Sequence, residues 1–201
     1  MSLVFHQNGF RELDFTISVE NKQHIRETWK TYIDGLPPYA DDFKGKGMAF
    51  CAGGIKYFTC VWIALSCLRQ TGCQLPVEIW YKDEELTQEC IEALEATFNV
   101  TCCKLNTVES GYTLKPLAML SSSFKEVLFL DADNVCIKDP TYLFDCSEYK
   151  KDHAIFWPDY WKTAEDNPIW DIIGCPFTAS PEQESGQLLI NKEHCWKELS
   201  L

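Results

Sequence analysis

Hydrophobic positions along the chain alternate between spaced stripes and short continuous runs. Ile25, Trp29, Tyr32 and Ile33 recur at helical intervals, which predicts a helix after an irregular lead, closed by Pro37-Pro38. Beyond the Lys44-Gly45-Lys46-Gly47 turn, Met48-Ala49-Phe50-Cys51-Ala52 is apolar at every position, as expected of a strand covered on both faces in a parallel sheet. Phe58, Val61, Trp62, Leu65 and Leu68 then return to the helical period, and Thr71-Gly72 stops them. The alternation repeats. Val77 to Tyr81 reads as a strand, and Asp83 reads as the N-cap of a helix carrying Leu86, Cys90, Leu94 and Phe98. Val100 to Leu105 reads as a strand, Leu114 to Ser121 as a helix, and Val127 to Leu130 as a fourth strand. Two further strands are expected at Ala154–Trp157 and Gln187–Ile190. Strand and helix in short regular steps imply right-handed βαβ units in an α/β sandwich.

Composition narrows what such a domain can bind. Among 201 residues, 18 Lys+Arg stand against 30 Asp+Glu, a formal charge of −12. A nucleic-acid partner is not expected, because neutralising phosphates needs clustered basic side chains. Any bound phosphate needs a metal or a local device. The 11 cysteines include no C-x-x-C pair, which argues against a zinc knuckle or a thioredoxin-type site. Free thiols are favoured over a disulfide framework, with Cys51, Cys67 and Cys90 on faces that read as buried. The longest apolar run, Cys60 to Leu65, is too short to span a bilayer, and the first thirty residues hold no signal-peptide pattern. His6, His24, His153 and His194 show no ligand spacing and read as surface or structural.

The strongest chemical feature is Leu128-Phe129-Leu130-Asp131-Ala132-Asp133-Asn134, where a buried strand ends in two carboxylates at the sheet edge that binds ligands in open α/β folds. If the segment stays extended, residues two apart project to one side, so Asp131 and Asp133 converge on one site. Two convergent carboxylates suit a divalent cation with positions left open for a diphosphate. A bare D-x-D is usually only a polar turn. Here it is followed by Asn-Val-x-x-x-Asp-Pro, which favours a site.

Seven stretches, in order, resemble the fungal-type Golgi α-mannosyltransferases of glycosyltransferase family 71. They are Cys51-Ala52-Gly53-Gly54, Leu75 to Trp80, Lys115-Pro116-Leu117-Ala118, Ser122 to Asn134, Asp139-Pro140-x-x-Leu143-Phe144, Phe156-Trp157-Pro158-Asp159 and Glu184-Ser185-Gly186-Gln187. The resemblance implies a GT-A type, Rossmann-like fold with a mixed, mainly parallel sheet flanked by helices. It further implies Mn²⁺-dependent (or Mg²⁺-dependent) retaining transfer from GDP-mannose to a glycan or glycoprotein acceptor, in the Golgi. Asp131 and Asp133 take the metal, Asp131 also being placed near the donor ribose. Ala52, Gly53, Gly54, Lys115, Ala132, Ser185 and Gly186 line the donor. By the same resemblance the expected catalytic set is Gln187 close to the anomeric carbon, with Glu184 or Ser185 touching sugar hydroxyls and Asp159 hydrogen-bonding acceptor or donor hydroxyls. The pattern offers no carboxylate nucleophile, so front-face substitution is expected over a covalent intermediate. Trp157 and Trp161, with Trp170 nearby, form either an acceptor platform or ordinary core.

The expected organisation is a lead and helix over 1–44 and a nucleotide-sugar-binding core over 45–201. The resembling family continues past the Gln187 strand with an acidic segment and a metal-binding histidine, so the chain is expected to be a fragment or a minimal member, and a cytosolic setting stays open. Two other readings also remain open: a UDP-sugar-dependent retaining transferase of the glycogenin or galactosyltransferase type, and a non-catalytic nucleotide-sugar-binding module.

Overall fold

The structure is a computed structural model that describes residues 3–201; residues 1 and 2 of the expected lead lie outside it. In chain order the elements begin with β1 (Leu3–Phe5), β2 (Phe10–Leu13) and α1 (Val19–Gly35). Then come β3 (Lys46–Cys51), α2 (Gly54–Gln70), β4 (Val77–Lys82), α3 (Gln88–Phe98), β5 (Thr101–Leu105), α4 (Leu114–Ser121) and β6 (Glu126–Asp131). The remainder is α5 (Ser147–Asp152), β7 (Ala154–Pro158), β8 (Lys162–Thr163), α6 (Ile169–Ile173), β9 (Gln183–Asn191) and α7 (Trp196–Leu199).

Two compact units emerge. One comprises the residues through Pro38 with Trp157–Glu184 and Leu201; the other comprises Tyr39–Phe156 and Ser185–Ser200. The expected core ran unbroken from 45 to 201, whereas residues 157–184 group with the N-terminal segment.

In the second unit the strand order is β5-β4-β3-β6-β9-β7. β3 is parallel to β4 and to β6, β4 is parallel to β5, and β9 runs antiparallel to β6. The chain winds outward from β3 through β4 to β5 and then returns to place β6 on the other side of β3. That reversal opens a crevice at the carboxyl ends of the strands. Register aligns Cys51 with Trp80 on one side and Asp131 on the other, so one row of residues crosses this edge. The strands are as apolar as their position demands: Met48, Ala49, Val127, Leu128 and Phe129 are at most 1% exposed. Each of the four larger side chains, Met48, Val127, Leu128 and Phe129, contributes about 1.5–3 kcal/mol through burial. Gly47 is required by packing, since a Cβ there would run into the ring of Phe124.

α3 begins later than the expected cap. Asp83 adopts a left-handed conformation (φ 49°) in the turn after β4, and Thr87 caps the helix instead, its hydroxyl accepting from the Cys90 N–H at 3.4 Å. Two charged side chains are buried in this unit. Glu78 accepts from the Ser123 N–H (3.1 Å) and hydroxyl (2.6 Å) and from the Trp80 indole (3.1 Å). Lys192 donates to the carbonyls of Leu120 (3.2 Å) and Ser122 (2.6 Å), with its ammonium 3.9 Å from the Phe43 ring centroid. Burial pushes the Lys192 ammonium down to about 7, with Glu78 opposing the shift.

The first unit contains the sheet β1-β2-β8, in which β1 and β2 pair antiparallel and β2 and β8 pair parallel. The expected irregular lead is thus partly a hairpin. Its joints are polar: Arg11 pairs with Glu182 (Nε to Oε1, 2.7 Å), whose Oε1 also accepts from Thr163 (2.7 Å), and the Trp29 indole donates to the Ile172 carbonyl (3.0 Å).

Candidate active site

Two cavities of comparable size lie in the second unit, and chemistry separates them. One, of about 520 Å³, opens at the amino-terminal ends of β4 and β5 beside Arg69. That guanidinium is spent on the carbonyls of Cys73, Leu75, Phe98 and Asn99, so it ties loops together rather than offering a charge. The other, about 470 Å³, sits at the carboxyl ends of β3, β4 and β6 and is lined by Cys51, Ala52, Gly53, Lys115, Asp131, Ala132 and Asp133 among others. It occupies the crevice where the winding reverses and collects most of the donor-binding residues expected from the sequence.

Asp131 and Asp133 do reach one cleft, but by a turn. The Asn134 N–H donates to the Asp131 carbonyl at 2.9 Å, which closes a β-turn through Ala132 and Asp133. The extended geometry assumed for the D-x-D therefore ends at Asp131, because the strand runs out of partners there. Asp131 is half-buried, Ala132 buried and Asp133 exposed. The Asn134 amide donates to the Gly186 carbonyl at 2.7 Å and so binds this turn to the entry of β9.

Lys115, in the first turn of α4, reaches the same point. Its ammonium lies 2.7 Å from Asp131 Oδ2, 3.2 Å from the Ser185 carbonyl and 3.5 Å from the Ser185 hydroxyl. Gln187 pairs with Leu130 across β9 and β6, one position from Asp131, and is half-buried. Lys115, Asp131, Ser185, Gly186 and Gln187 thus share one sheet edge. Among the described residues no group of three or more His, Cys, Asp and Glu side chains forms a metal cluster. The two carboxylates of one cleft fit a hard divalent ion that draws its remaining oxygens from phosphate and water.

The adjacent glycines Gly53 and Gly54 serve different purposes. Gly54 has φ +73°, a conformation that needs glycine. At Gly53 the space a side chain would take is filled by the carboxylate of Glu85. The glycine therefore admits Glu85, a cleft residue that periodicity and motif spacing gave no reason to single out. Cys51 forms the floor; burial raises its thiol to about 12, with Asp131 and Glu85 adding to the rise and Lys115 opposing it.

Asp159, Glu184, Trp157 and Trp161 belong to the first unit. There Asp159 accepts from the Tyr160 N–H (2.6 Å), and Trp161 packs edge-on against Phe5 and Tyr160 at 4.7 and 5.0 Å. The Trp170 indole donates to the Ala164 carbonyl at 2.8 Å, a structural use. His153 and His194 stack at 3.6 Å, in keeping with a structural role.

Residues 45–183 match a family model described as "Mannosyltransferase putative". The chain belongs to this mannosyltransferase family. It is 34% identical over 178 residues to the alpha-1,2-mannosyltransferase MNN24 of Candida albicans, covering 80% of this chain and 25% of that relative. It is 30% identical over 173 residues to the alpha-1,2-mannosyltransferase MNN2 of Saccharomyces cerevisiae, covering 79% and 29%. The chain therefore spans about a quarter of the length of these relatives. In fold this mannosyltransferase-family chain is of GT-A type. It resembles the galactosyltransferase LgtC solved with donor and acceptor sugar analogs (TM-score 0.53, 16% identity, 77% of this chain and 60% of that one). It also resembles the glycosyltransferase GlyE of Streptococcus pneumoniae (TM-score 0.52, 17% identity, 77% and 36%).

Proposed function

We propose that this chain carries the donor-binding part of a retaining α-mannosyltransferase that moves mannose from GDP-mannose to a glycan acceptor in Golgi-type glycosylation. The observation that carries the reading is the Lys115–Asp131–Ser185 constellation, with Asp133 in the turn that follows β6 and Gln187 on β9 opposite Leu130.

Breaking a glycosidic bond to a nucleotide leaves charge on the departing diphosphate, and a site accelerates the step by holding positive charge where that charge develops. Lys115 supplies a fixed ammonium, oriented by Asp131 and by Ser185, so little reorganisation is needed on reaction. Asp131 and Asp133 are the residues that would hold Mn²⁺ or Mg²⁺, and such an ion acts as a Lewis acid on the diphosphate. Asn134 keeps the carboxylate turn and the Gly186 segment in one arrangement. Gln187 offers an amide, a polar group that orients the sugar without becoming a nucleophile, which suits attack and departure on the same face. No helix among the described residues is long and apolar enough to cross a membrane.

Thermal shifts of the chain with GDP, UDP and GDP-mannose, each with and without Mn²⁺, test the reading. GDP with Mn²⁺ is expected to stabilise most. Asp133→Asn is expected to abolish the Mn²⁺-dependent part of the shift while leaving the nucleotide-free midpoint close to wild type. Larger stabilisation by UDP, or a Mn²⁺-dependent shift that survives Asp133→Asn, overturns it.

A further inference from the structure

The cleft has a second carboxylate end, and it is built rather than incidental. Glu85 sits in the loop after β4, tied at three points: its N–H donates to the Lys82 carbonyl (3.1 Å), its carbonyl accepts from the Gly54 N–H (3.0 Å), and its Oε2 accepts from the Lys82 N–H (2.9 Å). The missing Cβ of Gly53 makes room for the carboxylate. Oε1 has no hydrogen-bond partner among the described residues, and the side chain is exposed on the cleft wall.

Position decides what such a group can meet. β4 lies two strands from β6, so Glu85 and the Asp131 end are separated across the strands by roughly 10 Å. That is the order of separation between the base edge and the diphosphate of one nucleotide. Among the described residues Lys115 is the one basic side chain lining this cavity and stands at the Asp131 end, so phosphates belong there, beside Lys115 and the carboxylates that would hold a cation, rather than beside Glu85. Tyr57 and Tyr81 line the same cavity and offer aromatic faces to a planar ring.

A carboxylate has two adjacent acceptor oxygens and, when ionised, no donor. Guanine alone among the common bases presents two neighbouring donors on its Watson–Crick edge, N1–H and the exocyclic N2–H₂. Uracil presents one N–H between two carbonyl oxygens, which a carboxylate repels. Resting on the GDP-mannose reading above, we infer that Glu85 is the residue that selects the donor's base, its two oxygens accepting N1–H and N2–H₂ of guanine. Oε2 keeps a second lone pair for this while holding the Lys82 N–H.

Calorimetric titration of the 201-residue chain with GDP, IDP and UDP in the presence of Mn²⁺ tests the assignment, with Glu85→Gln and Glu85→Ala alongside. IDP lacks only the exocyclic amine. Wild type is expected to bind GDP about 10- to 100-fold more tightly than IDP, the loss of one hydrogen bond to a charged group. Glu85→Gln, which keeps an acceptor for the Lys82 N–H, is expected to bring GDP down to the IDP level and, by removing the charge that repels the uracil carbonyls, to leave UDP binding no weaker than in wild type. If wild type binds GDP and IDP equally, or if both variants keep the GDP-to-IDP ratio, Glu85 does not read the base, even where GDP still outbinds UDP and the donor reading stands. Tighter binding of UDP than GDP by wild type defeats the donor reading itself and the role of Glu85 with it.

Discussion

In the unit built on β3 and β6, Met48, Val61, Leu65, Val127 and Leu128 are essentially out of water, whereas α1 in the other unit buries none of its 17 residues. The first unit depends instead on directed polar joints, such as Arg11 to Glu182 and the Trp29 indole to the Ile172 carbonyl. Burial is non-directional and sums over many residues, so it tolerates the loss of any single polar contact. A polar joint concentrates stability in a few groups that must each stay satisfied. Rigid cleft walls accordingly belong to the unit whose stability comes from burial, and that unit carries Asp131, Lys115 and Glu85.

Three substitutions can break this contrast or sharpen it. Leu128→Ala is expected to cost about 2–5 kcal/mol in denaturant unfolding, because a fully buried strand position cannot collapse around the void. A cost near zero would mean the β6 core is not the source of stability. Glu182→Ala leaves Arg11 and Thr163 without their shared acceptor and is expected to cost about 1–3 kcal/mol. Hydrogen exchange should rise in β1, β2 and β8 and stay at wild-type rates in β3 and β6; a uniform rise would erase the distinction between the units.

The smallest effect concerns the one ammonium sealed in the burial-stabilised unit, Lys192. Its folded value, about 7, lies below the ordinary 10.5, so between these limits the unfolded chain binds the extra proton. Stability should therefore rise with pH above 7 and be fully penalised below it. Compared with Lys192→Met, wild type is expected to gain up to about 1.4 kcal/mol per pH unit between pH 7.5 and 9 in chemical denaturation. A flat difference would show that the two carbonyls and the Phe43 face hold the ammonium charged.

The same contrast explains what could be read in advance. β3 and β6 were visible because burial on both faces forces an unbroken apolar run, β4 because only Glu78 interrupts its apolar stretch, and α2 and α4 because one face of each packs on that sheet. β1, β2 and β8 were missed: Leu3–Phe5 and Phe10–Leu13 are exposed or half-buried, and a two-residue strand leaves no period. In the site, Asp131 and Asp133 were legible because charge interrupts apolar patterning at a strand end, and Lys115 only through the family resemblance. Glu85 was not, being one acid among Asp83, Glu84 and Glu85 in a polar turn; only the missing Cβ of Gly53 singles it out, and that relation is tertiary. Asn134 read as part of a turn, while its reach to Gly186 depends on how β9 folds back beside β6.

The Cys51 thiol on the cleft floor is held near 12 by burial with Asp131 and Glu85 close by. Thiolate, not thiol, is what oxidants and alkylating reagents consume, so at neutral pH this sulfur is a poor target for them. The protein can thus keep a small polarisable atom under its ligand cleft without exposing that cleft to covalent damage, while the exposed Cys175 remains accessible to such reagents.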